Sequence, residues 1–113
     1  MADVYSFSID QGADFFLDVQ YKDSAGAPIN LTGYTAAMQF RQVSTTITAL
    51  NLTSSSGITI TAATGLLAIR ITAAQTAAFA ASLYEYELEI TSSAGIITRL
   101  VQGVASVNAQ LTP

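Results

Sequence analysis

Apolar and polar residues alternate along most of the chain with the two-residue period of a β-strand. In the segment DFFLDVQY, the large side chains at Phe15, Leu17 and Val19 fall on one side and Phe16 and Asp18 fall on the other. The same period recurs at residues 5–10, 34–41 and 84–91, and a further strand is predicted in the Thr- and Ser-rich run around residues 46–53. This repetition predicts a series of short strands, each with one face toward a core.

Turn residues predict a hairpin between ITIT and LLAIRIT, which are separated by AATG. Pairing Thr61 with Leu66 brings Ile60 opposite Leu67 and keeps the large aliphatic side chains on one face. In this register Leu66 and Arg70 point to the opposite face.

A second hairpin is predicted at YEYELEIT-SSAG-IITRLVQG, with a three-residue loop that ends at Gly95. Loops of this kind favour a glycine in the left-handed region at that position. The resulting register pairs Leu88 with Leu100 and Glu89 with Arg99.

One short α-helix is predicted near residues 73–81, where TAAQTAAFAAS is rich in alanine, the best helix former. Thr72 and Gln75 have the spacing of a capping box. Phe79 is the one large apolar residue of the segment, and we expect it to anchor the helix across the end of a sheet.

These elements predict an all-β fold, an antiparallel immunoglobulin-like β-sandwich of about seven to eight strands with one short helix. A small closed barrel is the alternative. The 113 residues are enough for a single domain, residues 1–113, with residues 1–5 and 105–113 predicted as extended termini.

Composition argues against catalysis, because the chain has no histidine, no cysteine and no tryptophan. The Ser-His and Cys-His nucleophile systems and the usual zinc ligand sets therefore cannot be built from it. We expect no enzyme activity, no catalytic residue, no cofactor and no metal site. The absence of cysteine also suits folding in a reducing cytoplasm.

The charge and the hydropathy of the chain limit the kinds of partner that it is expected to bind. The net charge is −4, and the four basic residues are scattered at Lys22, Arg41, Arg70 and Arg99. No basic patch for nucleic-acid phosphates is expected. The sequence has neither a secretory signal nor an apolar run of the roughly 20 residues that cross a bilayer, so neither secretion nor membrane insertion is expected.

A row of carboxylates at Glu85, Glu87 and Glu89 raises the question of an active site. Same-face neighbours on a strand lie about 7 Å apart, a separation that suits glycoside hydrolysis. The row is straight and lies opposite Arg99 in the predicted register. We therefore interpret it as the solvated face of a strand, with charges that protect against sheet aggregation.

Four apolar residues fall on predicted outer faces: Phe16, Leu66, Ile97 and Val101. A contiguous exposed apolar patch marks an interaction surface, and these residues are the candidate subunit interface. The other interpretation is that the face assignment is wrong or that a second sheet covers these residues, and both interpretations stay open at this point.

Two long stretches resemble known proteins. DQGADFFLDVQYKDSAGAPINLTGYTAAMQFR, residues 10–41, resembles the opening of small bacteriophage virion domains, with Asn30 in place of their usual aspartate. ITAAQTAAFAASLYEYELEITSSAGIITRLVQGVASV, residues 71–107, resembles their second half: a capped helix, a Tyr-x-Tyr-x-Leu strand, a glycine turn and an Arg-Leu-x-x-Gly strand. The family that both stretches resemble is the Ig-like β-sandwich group that includes the N-terminal domain of phage baseplate upper proteins. The resemblance weakens over residues 42–56.

The resemblance implies a non-enzymatic phage structural protein, a tail or baseplate component that docks on neighbouring virion subunits as a homo-oligomer or multi-copy assembly. The implied location is the virion, assembled in the cytoplasm of the host bacterium. A capsid decoration protein is the alternative within this class, and a carbohydrate-binding module of a tail fibre is the alternative of another class. The extended termini are natural candidates for strand addition to a neighbour.

Overall fold

Residues 3–109 are described by the structure, a computed structural model, and they form nine strands, one α-helix and one 3-10 turn. In chain order the elements are β1 (Asp3–Val4), β2 (Phe7–Asp10), β3 (Phe15–Gln20), β4 (Thr35–Gln42), β5 (Thr48–Thr53), β6 (Ile58–Thr61), the 3-10 turn (Ala62–Thr64), β7 (Leu66–Ile71), α1 (Ala73–Ala77), β8 (Leu83–Thr91) and β9 (Ile97–Asn108).

The strands form two sheets that pack on a shared core. The larger sheet has six strands in the order β1–β9–β8–β4–β5, with β2 pairing on the same side of β9 as β1. The smaller sheet has three strands in the order β3–β7–β6. The prediction of an all-β, sandwich-like fold with one short helix is confirmed.

The predicted alternation of side chains holds in the central strands. In β4, Ala36, Met38 and Phe40 are buried, whereas the residues between them face outward. In β8 the buried positions are Tyr84, Tyr86, Leu88 and Ile90. Because the period of a strand is two, this register sends every glutamate of β8 to the outer face.

A cluster of aromatic rings fills the core between the sheets. The ring of Phe7, from the larger sheet, lies 4.9 Å from that of Phe15 in the smaller sheet and 4.8 Å from that of Tyr86. Phe40 contacts Tyr86 at 5.8 Å and Phe79 at 5.7 Å between ring centroids. The cluster therefore joins both sheets and the segment that follows the helix.

The helix is shorter than predicted and ends at Ala77 instead of near residue 81. Its capping box is present, with the Thr72 hydroxyl accepting from the Gln75 amide and the Gln75 side chain accepting from the Thr72 amide. The early end brings Phe79 into the core, where it is buried against Phe40 and Tyr84. Burial of this ring outweighs the helix propensity of the alanines.

The first predicted hairpin is confirmed in full, since Thr61 pairs with Leu66, Ile60 with Leu67 and Ile58 with Ile69.

The second hairpin follows its predicted register only near the loop. Glu89 pairs with Arg99, but a β-bulge shifts the next pair, so Leu88 faces Val101 instead of Leu100. A bulge places two consecutive residues opposite one and reverses the side-chain direction beyond it. Leu100 and Val101 are both buried as a result.

The prediction of a purely antiparallel sheet was wrong at the N-terminus. Strands β1 and β2 pair with β9 in parallel. Of the predicted extended termini, Asp3–Val4 is β1 and residues 105–108 belong to β9, whereas residues 1–2 and 110–113 lie outside the described residues. The pairing joins segments about a hundred residues apart, so local sequence patterns carry no sign of it.

A close approach between Gly103 and Tyr5 holds the N-terminal segment against β9. A Cβ atom at Gly103 would clash with the main-chain carbonyl of Tyr5. The Tyr5 amide donates to the Gln102 carbonyl at 2.9 Å, and the Tyr86 hydroxyl donates to the Tyr5 carbonyl. Glycine at position 103 is therefore needed for close packing, because its neighbour is backbone and cannot turn aside.

Gly103→Ala should displace the segment around Tyr5 and lower the free energy of unfolding by about 1–3 kcal/mol, the usual cost of overpacking. Urea unfolding measures the change. Ser106→Ala, on the same strand, is the matched control and should have a much smaller effect. An alanine variant at Gly103 as stable as the wild type would contradict this packing.

Burial, with a smaller contribution from Tyr5, raises the pKa of Tyr86 from 10.0 to about 12. A raised pKa means that the folded state holds this proton more tightly than the unfolded state does. The stabilising contribution of Tyr86 to folding is therefore fully present below pH 10, near the pKa of the unfolded state. It is lost as the pH rises toward 12.

Tyr86→Phe should be less stable than the wild type at neutral pH, by about 1 kcal/mol, because the partly buried hydrogen bond from the Tyr86 hydroxyl to the Tyr5 carbonyl is lost. The difference should shrink above pH 10, where only the wild type carries the cost of ionising this ring. Urea unfolding of both proteins across this pH range measures it. A stability difference that stays constant above pH 10 would contradict the assignment.

Candidate functional site

The outer face of the smaller sheet carries an exposed aromatic ring held by charged neighbours. Phe16 on β3 is 64% exposed and pairs across the sheet with Arg70 on β7. The Arg70 guanidinium carbon lies 4.8 Å from the centroid of the Phe16 ring, and Arg70 Nη1 lies 3.2 Å from Asp18 Oδ1. Arg70 also donates to the Ile69 carbonyl at 2.9 Å, which limits its freedom.

Leu66 lies further along the same face and is half-buried. It pairs with Gln20 on one side and Thr61 on the other, two strand positions beyond Ala68. Phe16, Asp18, Leu66 and Arg70 are called the Phe16 patch below. The structure therefore places two of the four predicted interface residues, Phe16 and Leu66, on one face of the smaller sheet, with the Asp18–Ala68 pair between them.

The other two predicted residues lie elsewhere. Ile97 is 64% exposed but stands at the start of β9, in the other sheet and beside the β8–β9 loop. Val101 is buried, contrary to its predicted outward position, because the bulge between Leu88 and Glu89 reverses the direction of the side chains.

A groove of about 370 Å³ lies between β1 of the larger sheet and β3 of the smaller one. Val4, which is 74% exposed, and Tyr5, which is 50% exposed, form one side. Its full lining is Asp3, Val4, Tyr5, Leu17, Asp18, Val19 and Val101. Sequence reasoning missed this groove because it exists only once the N-terminal segment has paired in parallel with β9.

The glutamate row lies on the outer face of the larger sheet, as predicted. Arg99 Nη2 is 3.0 Å from Glu87 Oε2 and 3.5 Å from Glu89 Oε2. All three partners are substantially solvent-exposed, so the ion pairs are of the weakly stabilising surface kind. The predicted solvated face with its arginine is confirmed.

A hollow of about 280 Å³ crosses the same face, and its lining includes the polar residues Glu85, Glu87, Gln39, Arg41 and Gln102 beside the apolar Val4 and Val104. Tyr86 also borders the hollow, but its ring packs in the core against Phe7 and Phe40. Sugar sites usually combine such polar groups with an aromatic platform. The carbohydrate-binding alternative stays a prediction.

Among residues 3–109, no group of three or more histidine, cysteine, aspartate or glutamate side chains is placed to hold a metal ion. No helix there has the length and apolar character needed to cross a membrane.

No protein-family profile fits the chain, and no curated protein is significantly similar to it.

Arg99→Gln should lower the free energy of unfolding by about 1 kcal/mol or less at low salt, because Glu87 and Glu89 then repel each other without a nearby cation. The loss should shrink in high salt, where the repulsion is screened. Urea unfolding at two salt concentrations measures it.

The matched control is Arg41→Gln on the same face. Arg41 pairs in register with Glu85, but no ion pair of Arg41 is present among residues 3–109. Equal losses for the two variants would contradict a specific role for Arg99.

Proposed function

We propose that this chain is a non-enzymatic structural component of a bacteriophage particle that docks on neighbouring virion subunits through the Phe16 patch. The proposed location is the tail or baseplate, after assembly in the cytoplasm of the host bacterium. The virion context comes from the resemblance of residues 10–41 and 71–107 to small phage virion domains.

The exposed ring of Phe16 is the observation that carries the docking role. Aromatic residues and arginine are enriched at the energetic centres of protein interfaces. Burying the exposed part of a phenylalanine contributes on the order of 1–2 kcal/mol. Because Arg70 lies over the ring and is itself held by Asp18, the patch is largely ordered before any partner binds.

The restrained side chains of the Phe16 patch support the interpretation that this surface binds a partner. Binding costs about 0.5–1.5 kcal/mol for each flexible side chain that becomes fixed. Phe16 and Arg70 already restrain each other, so less of this cost arises on association. Their position on two paired strands, β3 and β7, also fixes the spacing between them.

A capsid decoration protein would use the same surface in the same way. The two placements differ in the neighbouring subunit, and the sandwich itself serves either one. A tail component and a capsid decoration protein are therefore distinguished by where the chain lies in the particle.

Phe16→Ala should reduce the amount of the chain in purified particles of the phage that encodes it, by about tenfold, for a loss of about 1.4 kcal/mol per contact. Ile97→Ala removes an equally exposed apolar side chain from another surface and is the matched control. Quantitative mass spectrometry of gradient-purified particles measures both. Antibody labelling in electron microscopy then distinguishes tail from capsid.

Absence of the wild-type chain from purified particles would contradict the virion role. Incorporation of Phe16→Ala at the level of Ile97→Ala would contradict docking through the Phe16 patch and leave the virion role intact. Circular dichroism of both purified variants shows whether each is folded.

A further inference from the structure

Strand β3 is a free edge of the smaller sheet. Among the described residues it pairs with β7 alone, over six residues from Phe15 to Gln20 and without a bulge. Of the strands that end a sheet in this part of the chain, β2 and β6 have four residues each, and the pairing of β5 is broken by a register shift. A long, regular edge is the kind of strand to which another strand can add.

The direction of the free main-chain groups of β3 follows from a hydrogen bond at one end of its ladder with β7. The Tyr21 amide donates to the Gly65 carbonyl across the β3–β7 ladder at 2.8 Å. Hydrogen-bonding direction alternates along an antiparallel strand. The amides and carbonyls of Phe16, Asp18 and Gln20 therefore point away from β7, toward the free side.

The groove between β1 and β3 lies directly beside this edge. Leu17 and Val19 of β3 line it together with Val4, Tyr5 and Val101. A strand paired with β3 would alternate its side chains between this groove and the outer face that carries the Phe16 patch. Main-chain bonds would then supply affinity, and the groove would select an apolar side chain.

The charge around the groove is acidic. Its lining contains Asp3 and Asp18 and no basic residue. Arg70 contacts Asp18 from the outer face, so these three side chains together carry one net negative charge. An occupant that carries lysine or arginine next to its apolar residues matches this distribution, whereas an acidic segment would be repelled.

We propose that β3 is the acceptor for an extended segment of a partner protein, in which apolar residues alternate with lysine or arginine. The segment adds to the smaller sheet as a fourth strand and places apolar side chains in the groove. This inference rests on the proposed docking function and names the chemistry of the partner.

A second copy of this chain fits the site poorly. The strands of this chain that end a sheet among the described residues are FSID, FFLDVQ, TALNLT and ITIT, together with the two-residue DV of β1. None of them contains lysine or arginine, and three contain aspartate. Charge complementarity therefore favours a segment of a different protein, one that carries lysine or arginine.

The test is a titration of the whole isotope-labelled chain with a synthetic peptide of about seven residues in which lysine alternates with valine. Nuclear magnetic resonance follows each amide. We expect shifts centred on Phe16, Asp18 and Gln20, with a Kd on the order of 1 mM for so short a peptide.

Two control peptides separate the contributions. The same sequence with glutamate in place of lysine should bind at least about tenfold more weakly, since charge complementarity is reversed. Methylation of the peptide amides that face β3 should abolish binding, because those groups can no longer donate to its carbonyls.

Two protein variants complete the test. Asp18→Asn removes the negative charge of the side chain but keeps the main-chain N–H of residue 18, and it should weaken binding severalfold. Asp18→Pro removes the amide as well and should abolish binding, and an edge strand tolerates proline where the amide faces solvent. Circular dichroism checks the fold of both, and the methylated peptide tests the same hydrogen bonds on the wild-type chain.

No shift with the lysine peptide, shifts centred away from β3, or equal binding of the methylated peptide would overturn strand addition. These outcomes are independent of the particle experiment. The chain can be present in particles without accepting this peptide, and then only the strand-addition inference fails.

Discussion

The ring of Phe7 makes the contact on which the rest of the structure depends. It lies at the meeting point of the two sheets, with Phe15 on one side and Tyr86 on the other, at 4.9 and 4.8 Å between ring centroids. It also meets Phe40 edge to face at 6.4 Å. Aromatic pairs in such geometries contribute beyond their buried area, by about 0.5–1.5 kcal/mol each. A chain without disulfides relies on contacts of this kind to hold its sheets together.

The position of Phe7 also explains why the N-terminal segment follows a parallel course. Its strand, β2, pairs with residues 105–108 of β9, which directs the ring into the core while Ile9 is fully buried beside it. Close packing of Tyr5 on Gly103 fixes the segment just before it. The groove beside β3 is a consequence of this arrangement, because Val4 and Tyr5 form its wall. The parallel pairing of the N-terminal segment with β9 thus gives rise both to the packing of Phe7 in the core and to the groove beside β3.

Local sequence patterns were sufficient to predict the central strands, the capping box and the first hairpin. Each depends on residues close in sequence, such as Thr72 with Gln75 or Thr61 with Leu66, whose pairing is set by turn chemistry and period. The parallel pairing of β1 and β2 depends on contacts between the two ends of the chain, which no local period encodes. The bulge at Leu100 of β9, opposite Leu88 and Glu89, has no signal in the alternation of the sequence, and it directs Val101 into the core instead of to its predicted surface position.

Amide hydrogen exchange of the free chain, measured residue by residue, tests most directly the claim that a docked N-terminal segment stands beside an open β3 edge. The account predicts strong protection at Leu17 and Val19, whose amides face β7, and at Tyr5, whose amide donates to Gln102. It predicts fast exchange at Phe16, Asp18 and Gln20. Protection of these three amides equal to that of Leu17 and Val19, or fast exchange at Tyr5, would contradict it.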